Sequence, residues 1–142
     1  MTKTVLVIDP NRNRLSEIVS FWYDSPWRTL TANTLEEAID ILDEMTIDMI
    51  IAAEDLGWLS GAEFLSLTHH RYPRMIRILI TNELLIGNEK PLSVCFHAED
   101  HFHLATSQSC TSDDMTDIVH KMFGLEDRTA HQVSGIQPAK SP

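Results

Sequence analysis

Short apolar runs rich in β-branched residues recur along this 142-residue chain, and stretches with helical periodicity separate them. The first run, Val5-Leu-Val-Ile8, is continuous rather than alternating, which is typical of a central parallel strand covered on both faces. The segments 48–53 and 75–81 have the same character. Because parallel strands are joined by crossover connections that usually contain a helix, the alternation predicts βαβ units.

Five strands are predicted, at 5–8, 27–32, 48–53, 75–81 and 102–106. Helices are predicted after a cap at Asn11 or Asn13, after Asn33 or Thr34, over 61–72, and from a cap at Ser112 to Gly124. Apolar spacing assigns the inward faces of these helices to Leu15, Ile18, Val19 and Trp22, then Leu35, Ala38, Ile39 and Leu42, then Phe64, Leu65 and Thr68, and finally Met115, Ile118, Val119, Met122 and Phe123. The segment 92–98 fits either a short helix or an additional strand.

These elements predict an α/β fold with a flavodoxin-like, doubly wound, five-stranded parallel sheet in the order 2-1-3-4-5 and helices on both faces. A chain of this length fits one domain. We place the domain at residues 1–124. Residues 125–142 are polar and aperiodic, and they are expected to be a disordered tail or a linker.

Composition excludes several functions. The net charge of −10 argues against direct nucleic acid binding and against anionic membranes. No apolar run approaches the roughly 20 residues that a transmembrane helix needs. Cys95 and Cys110 form no disulfide framework, so we expect reduced thiols in a cytoplasmic protein.

Residues at the expected carboxyl ends of the strands carry a family pattern. Asp9-Pro10 follows the first strand, Ala53 ends the third, Thr81 ends the fourth, and Gly61 begins the helix after the third. Over residues 3–123 the chain resembles the receiver domains of response regulators, the chemotaxis-regulator-like domains of bacterial two-component signalling and phosphorelays. The resemblance implies a pocket formed by Asp9, Pro10, Ala53, Thr81 and, as the best match at the fifth strand, Thr106.

The resemblance also implies that the chemistry of the family has been lost. The position of the phosphoacceptor aspartate is Ala53, Pro10 stands where the family has a second, metal-binding acid, and no lysine occurs near Thr106. Phosphoryl transfer to a carboxylate requires a nucleophile, Mg²⁺ and a cationic group. The chain is therefore expected to be a pseudo-receiver without a cofactor, in which Mg²⁺ binding is lost or very weak.

Three alternatives stay open. Asp55, or Glu54 on the opposite side of the strand, could replace the lost acceptor. Ala53 could be an engineered replacement in a phosphorylatable receiver. The chain could also be a small-ligand-binding flavodoxin-like protein.

Trp58, in the loop over the pocket with Asp55, could fill the space left by phosphate and metal, contact a partner, or be exposed.

Histidines offer one further site. His101 and His103 share one side of a predicted strand and could hold a metal with Asp100 or Cys95. The favoured interpretation is an edge strand with solvent-facing histidines, so no metal site is predicted.

The expected function is signalling by protein–protein interaction, not enzymatic catalysis. The region 82–123 corresponds to the usual output surface of receivers, and it should bind a protein partner or a second copy of the chain. Its apolar residues exceed what one short helix needs to bury: Leu84, Leu85, Ile86, Val94 and Phe96.

Overall fold

The computed structural model describes residues 2–81, 93–97, 102–106 and 112–135, with side chains at 2–80 and 112–124. In chain order the elements are β1 (Thr4–Ile8), α1 (Arg12–Phe21), β2 (Arg28–Ala32), α2 (Leu35–Glu44), β3 (Met49–Ala53), α3 (Gly61–Arg71), β4 (Ile76–Thr81), β5 (Ser93–His97), β6 (Phe102–Thr106) and α4 (Ser112–Gly135). Among the described residues, no helix combines the length and hydrophobicity needed to cross a bilayer.

The strands form one sheet in the order β2-β1-β3-β4-β6-β5. The first five strands in this order are parallel, and they are the five predicted strands in the predicted order. The predicted fold class is therefore confirmed. One correction applies to the strand count: the segment with two possible structures forms β5, which pairs antiparallel with β6 and makes the sheet six-stranded.

Alternation along the strands divides the core into two layers. Val5 and Val7 of β1 face the layer under α1 and α4, whereas Leu6 and Ile8 face the layer under α2 and α3. Successive side chains of a strand point to opposite faces, so a continuous apolar run is what a sheet covered on both sides requires. Both faces of the sheet are thus buried by helices, as the sequence predicted.

Side-chain caps set the starts of the first three helices. The Asn11 side chain accepts a hydrogen bond from the Arg14 N–H, and Thr34 accepts one from the Glu37 N–H. Ser60 and Glu63 form a reciprocal capping box at the start of α3. Of the alternative caps predicted for the first two helices, Asn11 and Thr34 are the ones used.

Two predicted inward residues and one predicted helix end are wrong. Val19 is 45% exposed and Ile39 is 38% exposed, because each lies at the margin of an apolar stripe that the sheet covers only in its middle. The last helix continues through Gly124 to Gly135, since a single glycine lowers helix stability without ending the helix. Residues 136–142 lie outside the described residues, and the division of the chain at 124 stays a prediction.

Arg77 closes the end of α3 from the neighbouring strand. Its guanidinium donates to the carbonyl oxygens of Tyr72 and Met75 at 3.0 and 2.8 Å and lies 3.0 Å from the His69 ring nitrogen Nδ1. Burial lowers the pKa of Arg77 below its usual value, through desolvation of the charge. A buried arginine of β4 thus satisfies the backbone carbonyl groups that follow α3.

Candidate functional site

The carboxyl ends of the parallel strands meet at one edge of the sheet. The strand register pairs Ile8 with Ala52, and it pairs Ala53 with Ile80. It also pairs Thr81 directly with Thr106 on β6. The backbone therefore brings Asp9, which follows Ile8, to the same edge as the other predicted pocket positions. The side chains of Thr81 and Thr106 lie outside what the structure describes.

The space between Asp9 and Ala53 is almost filled. A cavity of about 10 Å³ remains there. Its walls are Val7, Ile8, Asp9, Arg14, Ile51, Ala53, Ile80 and Met115. A single water needs at least about 10–15 Å³ on this measure, so a phosphoryl group with a hydrated Mg²⁺ would require these walls to move apart.

Asp9 is held by donors from its own segment of chain. It is 7% exposed, and its Oδ1 accepts a hydrogen bond of 2.9 Å from the Asn11 backbone N–H. The Arg14 Nε lies 3.6 Å from Asp9 Oδ2, with the Arg14 side chain 45% exposed. Pro10, between the carboxylate and the cap, is exposed and offers no side-chain oxygen. Each oxygen of the Asp9 carboxylate thus has a donor or a cation beside it.

Ala53 packs against the start of α3. A Cβ on Gly61 would collide with the Ala53 carbonyl oxygen and would lie 2.7 Å from a methyl group of Leu79. The Gly61 N–H donates to the Glu54 carbonyl at 2.6 Å, which closes the loop between β3 and α3. Gly61 is thus required by the close approach of two backbones at Ala53.

Two side chains of the loop between β3 and α3, Asp55 and Trp58, are exposed and do not line the cavity. Asp55 is exposed, and its Oδ1 accepts from the Gly57 N–H at 3.3 Å in a turn where Gly57 has a φ of 104°. Trp58 is 68% exposed and is not part of the cavity wall. Of the three interpretations of Trp58, the structure supports an exposed side chain, and contact with a partner stays a prediction.

Sequence reasoning missed Arg14 as a pocket residue. Its signal was present: a basic residue in the first turn after Asn11, where a side chain can fold back over the preceding strand end. Met115 was predicted only as core, and Ile80 only as part of a strand, yet both line the cavity.

The donor set does not fit Mg²⁺. This ion prefers six oxygen ligands in octahedral geometry, and Asp9 carries the one carboxylate among the residues that line the cavity. Across the described part of the chain, no three His, Cys, Asp or Glu side chains are grouped to hold a metal. The alternative site at His101, His103, Asp100 and Cys95 lies outside the side chains that the structure describes.

Comparisons with known proteins agree on the fold. A signal receiver domain of an HD domain-containing protein from Pseudomonas fluorescens superposes with a TM-score of 0.68 at 20% identity, covering 92% of this chain and 99% of that one. A CheY-like response regulator receiver domain protein from Methanospirillum hungatei gives a TM-score of 0.72 at 13% identity, covering 91% and 99%. This chain therefore has the receiver-domain fold, and at these identities the likeness concerns the fold alone.

A curated relative shares sequence with part of the chain. The hydrogenase transcriptional regulatory protein HoxA of Cupriavidus necator is 31% identical over 78 residues, which are 55% of this chain. The match spans about 16% of the length of HoxA. No protein-family profile matches the chain.

Proposed function

We propose that this chain is a receiver-like signalling module that works without aspartyl phosphorylation, through contact with a protein partner or a second copy of itself. The observation that carries the proposal is the closed pocket, in which Ala53 occupies the acceptor position and Asp9 is paired with Arg14. A nucleophile, a metal and room for a phosphoryl group are all required for the transfer. The match to a short part of a transcriptional regulatory protein supports the signalling role.

Rescue by a neighbouring acid has little support in the geometry. Asp55 is exposed and accepts a hydrogen bond within its own loop turn. An Asp55 carboxylate acting as nucleophile would have to leave that turn and enter a cavity of about 10 Å³.

The small-ligand alternative is disfavoured in the described part of the chain. A second, open groove of about 260 Å³ is lined by Arg12, Leu15, Ser16, Thr31, Asn33 and Glu37. Ligand sites are usually larger, at about 300–1,000 Å³, and mostly apolar. This polar groove therefore supports no ligand-binding function.

The contact surface is proposed to lie within residues 82–123. In α4 the apolar residues Met115, Ile118 and Val119 are buried in the core of the domain, so they cannot serve a partner. Over residues 112–124, where the structure describes the side chains of this helix, the exposed residues are polar: Asp113, Asp117, His120 and Lys121. We propose that they form a polar rim, with the apolar part of the contact supplied from Leu84, Leu85 and Ile86.

The test is an amide-shift NMR titration of the protein with Mg²⁺ and then with beryllofluoride, which mimics an aspartyl phosphate. We expect no saturable shifts at Asp9, Ala53 or Thr81. Saturable shifts there that spread into α4 would overturn the proposal and return attention to Asp55 or Glu54 as the acceptor.

Restoration of the acceptor provides the matched variant. Ala53→Asp supplies a carboxylate at the acceptor position. Pro10 still stands where the family has a metal-binding acid, and no lysine lies near Thr106, so no stable acyl phosphate is expected with a small phosphodonor. Stable acyl phosphate in this variant would favour the alternative of a phosphorylatable receiver whose acceptor has been replaced.

The contact surface has its own test by sedimentation equilibrium. If the chain pairs with itself through α4, Lys121→Glu should shift the monomer–dimer equilibrium, because Lys121 lies on the exposed polar face. Arg71→Glu, on exposed α3, is the control. A monomer at all concentrations would exclude self-pairing and leave a different protein as the partner.

A further inference from the structure

The carboxylate of the pocket has a cation built into the chain. Asp9, Asn11 and Arg14 form a closed arrangement within six residues: the Asn11 N–H donates to Asp9 Oδ1 at 2.9 Å, and the Arg14 N–H donates to Asn11 Oδ1 at 3.1 Å. The Arg14 Nε then returns to within 3.6 Å of Asp9 Oδ2. The helix cap therefore fixes the Arg14 backbone at a position from which its guanidinium reaches the carboxylate.

This cation also borders the acceptor position. Arg14 and Ala53 line the same small cavity, and Met115 of α4 lies against it. One carboxylate and one guanidinium leave the pocket without net charge when no ion is added. A divalent cation entering beside Asp9 would meet the like charge of Arg14, 3.6 Å from the carboxylate, and that charge would oppose its binding.

The neighbouring arginine does not share this role. One orientation of the Asn33 side-chain amide gives hydrogen bonds to both its nitrogen and its oxygen. In that orientation the Arg12 Nε donates to the amide oxygen of Asn33 at 3.0 Å. Arg12 lines the open groove beside Glu37 rather than the cavity beside Ala53. Two arginines in one turn of α1 therefore face different surroundings, and Arg12 is a natural control for Arg14.

We propose that Arg14 is the resident cation of the pocket and that its guanidinium excludes divalent metal from Asp9. The proposal rests on the proposed phosphorylation-independent function and explains what maintains it. Arg14 is a positioning residue here: its charge balances that of Asp9 and so opposes the binding of a second cation at the carboxylate.

The experiment measures Mg²⁺ affinity by amide-shift titration in an Ala53→Asp background, which supplies a second carboxylate to the pocket. We expect Ala53→Asp/Arg14→Gln to bind Mg²⁺ at least about tenfold more tightly than Ala53→Asp alone, because a like charge has been removed. Ala53→Asp/Arg14→Lys, which keeps a cation, and Ala53→Asp/Arg12→Gln should both stay close to Ala53→Asp.

Equal affinity in all four proteins would overturn the proposal. The unmodified chain, titrated in parallel, separates this failure from failure of the proposed function. If the unmodified chain shows no saturable shifts while the four variants bind equally, only the role of Arg14 is lost. Saturable shifts in the unmodified chain would sink both. The dispersion of the amide spectrum checks the fold, and the half-exposed position of Arg14 makes its replacement tolerable.

Discussion

At the scale of single residues, an alanine and a glycine allow two segments of backbone to pack closely beside the pocket. Ala53 ends β3, and the first residue of α3, Gly61, lies against its carbonyl. An aspartate at position 53 would add a carboxylate to a cavity of about 10 Å³ already bordered by Arg14. Ala53 and the start of α3 therefore belong to one local arrangement.

Gly61→Ala should destabilise the fold by about 1–3 kcal/mol, since the added methyl group meets backbone and forces α3 away from β3. Gly124→Ala is the matched control. Gly124 lies inside α4, and a Cβ there would meet nothing within 4 Å. That change should stabilise the protein by about 0.5–1 kcal/mol through helix propensity. Urea unfolding of both variants measures the difference, and equal effects would contradict the close approach at Gly61.

At the scale of elements, the start of α3 depends on its capping box. The Ser60 side chain accepts from the Glu63 N–H at 3.0 Å, and the Glu63 carboxylate accepts from the Ser60 N–H at 3.0 Å. This box anchors the end of the loop that carries Asp55 and Trp58. It therefore sets how the loop returns to the sheet.

Ser60→Ala should lower the free energy of unfolding by about 1 kcal/mol, because the Glu63 backbone N–H loses the side-chain oxygen that accepts its hydrogen bond. Ser16→Ala, on the exposed side of α1, is the comparison. It should be neutral or stabilising by at most about 0.5 kcal/mol. If thermal or chemical unfolding shows the same change in both variants, the cap contributes nothing to stability.

The contact between α1 and α4 has one buried polar link. The indole N–H of Trp22, a residue only 3% exposed, donates to the Thr116 hydroxyl at 2.6 Å. That hydroxyl in turn donates to the Ser112 carbonyl at 2.7 Å. The Trp22 ring also packs edge-on against Trp27, whose ring contacts His120. The rings of Trp22, Trp27 and His120 therefore link the end of α1 to the exposed face of α4.

Thr116→Val should lower stability by about 1–3 kcal/mol, because the shape is kept while the indole N–H loses its acceptor in a buried place. Thr116→Ser retains the hydroxyl and should stay closer to the unmodified protein. Tryptophan fluorescence during urea unfolding, to which Trp22, Trp27 and Trp58 all contribute, measures the stability of both variants. A Val variant as stable as the Ser variant would show that the hydrogen bond is not needed.

At the scale of the whole molecule, the chain carries a net charge of −10, whereas the charges of Asp9 and Arg14 in the pocket balance each other. Added ions should therefore act by general screening of the acidic surface, and a divalent ion should have no special place near Asp9.

We expect about 10 mM MgCl₂ and NaCl of equal ionic strength to give the same melting temperature. A specific site with a Kd of about 1 mM would instead add about 1.4 kcal/mol in the magnesium sample, a rise of several degrees. Differential scanning calorimetry makes the comparison, and Ala53→Asp/Arg14→Gln serves as the variant in which a magnesium-specific rise is expected.

Most of the architecture could be predicted from local pattern. Continuous apolar runs place the parallel strands, and cap residues such as Thr34 and Ser60 begin helices, because both depend on neighbours within a few positions. The predictions that failed concern positions whose environment depends on residues far away in the sequence. Val19 fits the apolar period of α1 but lies beyond the part of the helix that the sheet covers.

The residue types Ala53 and Pro10, at the positions where the resemblance places the acceptor and the metal-binding acid, are read from the sequence alone, since residue identity does not depend on the fold. Only the tertiary structure decided what stands there instead. Arg14 reaches Asp9, Met115 of α4 reaches the same cavity, and Trp58 turns to solvent. The contact between Asp9 and Arg14 forms within six residues of the chain, whereas the approach of Met115 depends on how α4 packs against the sheet, and no local period or propensity encodes that packing.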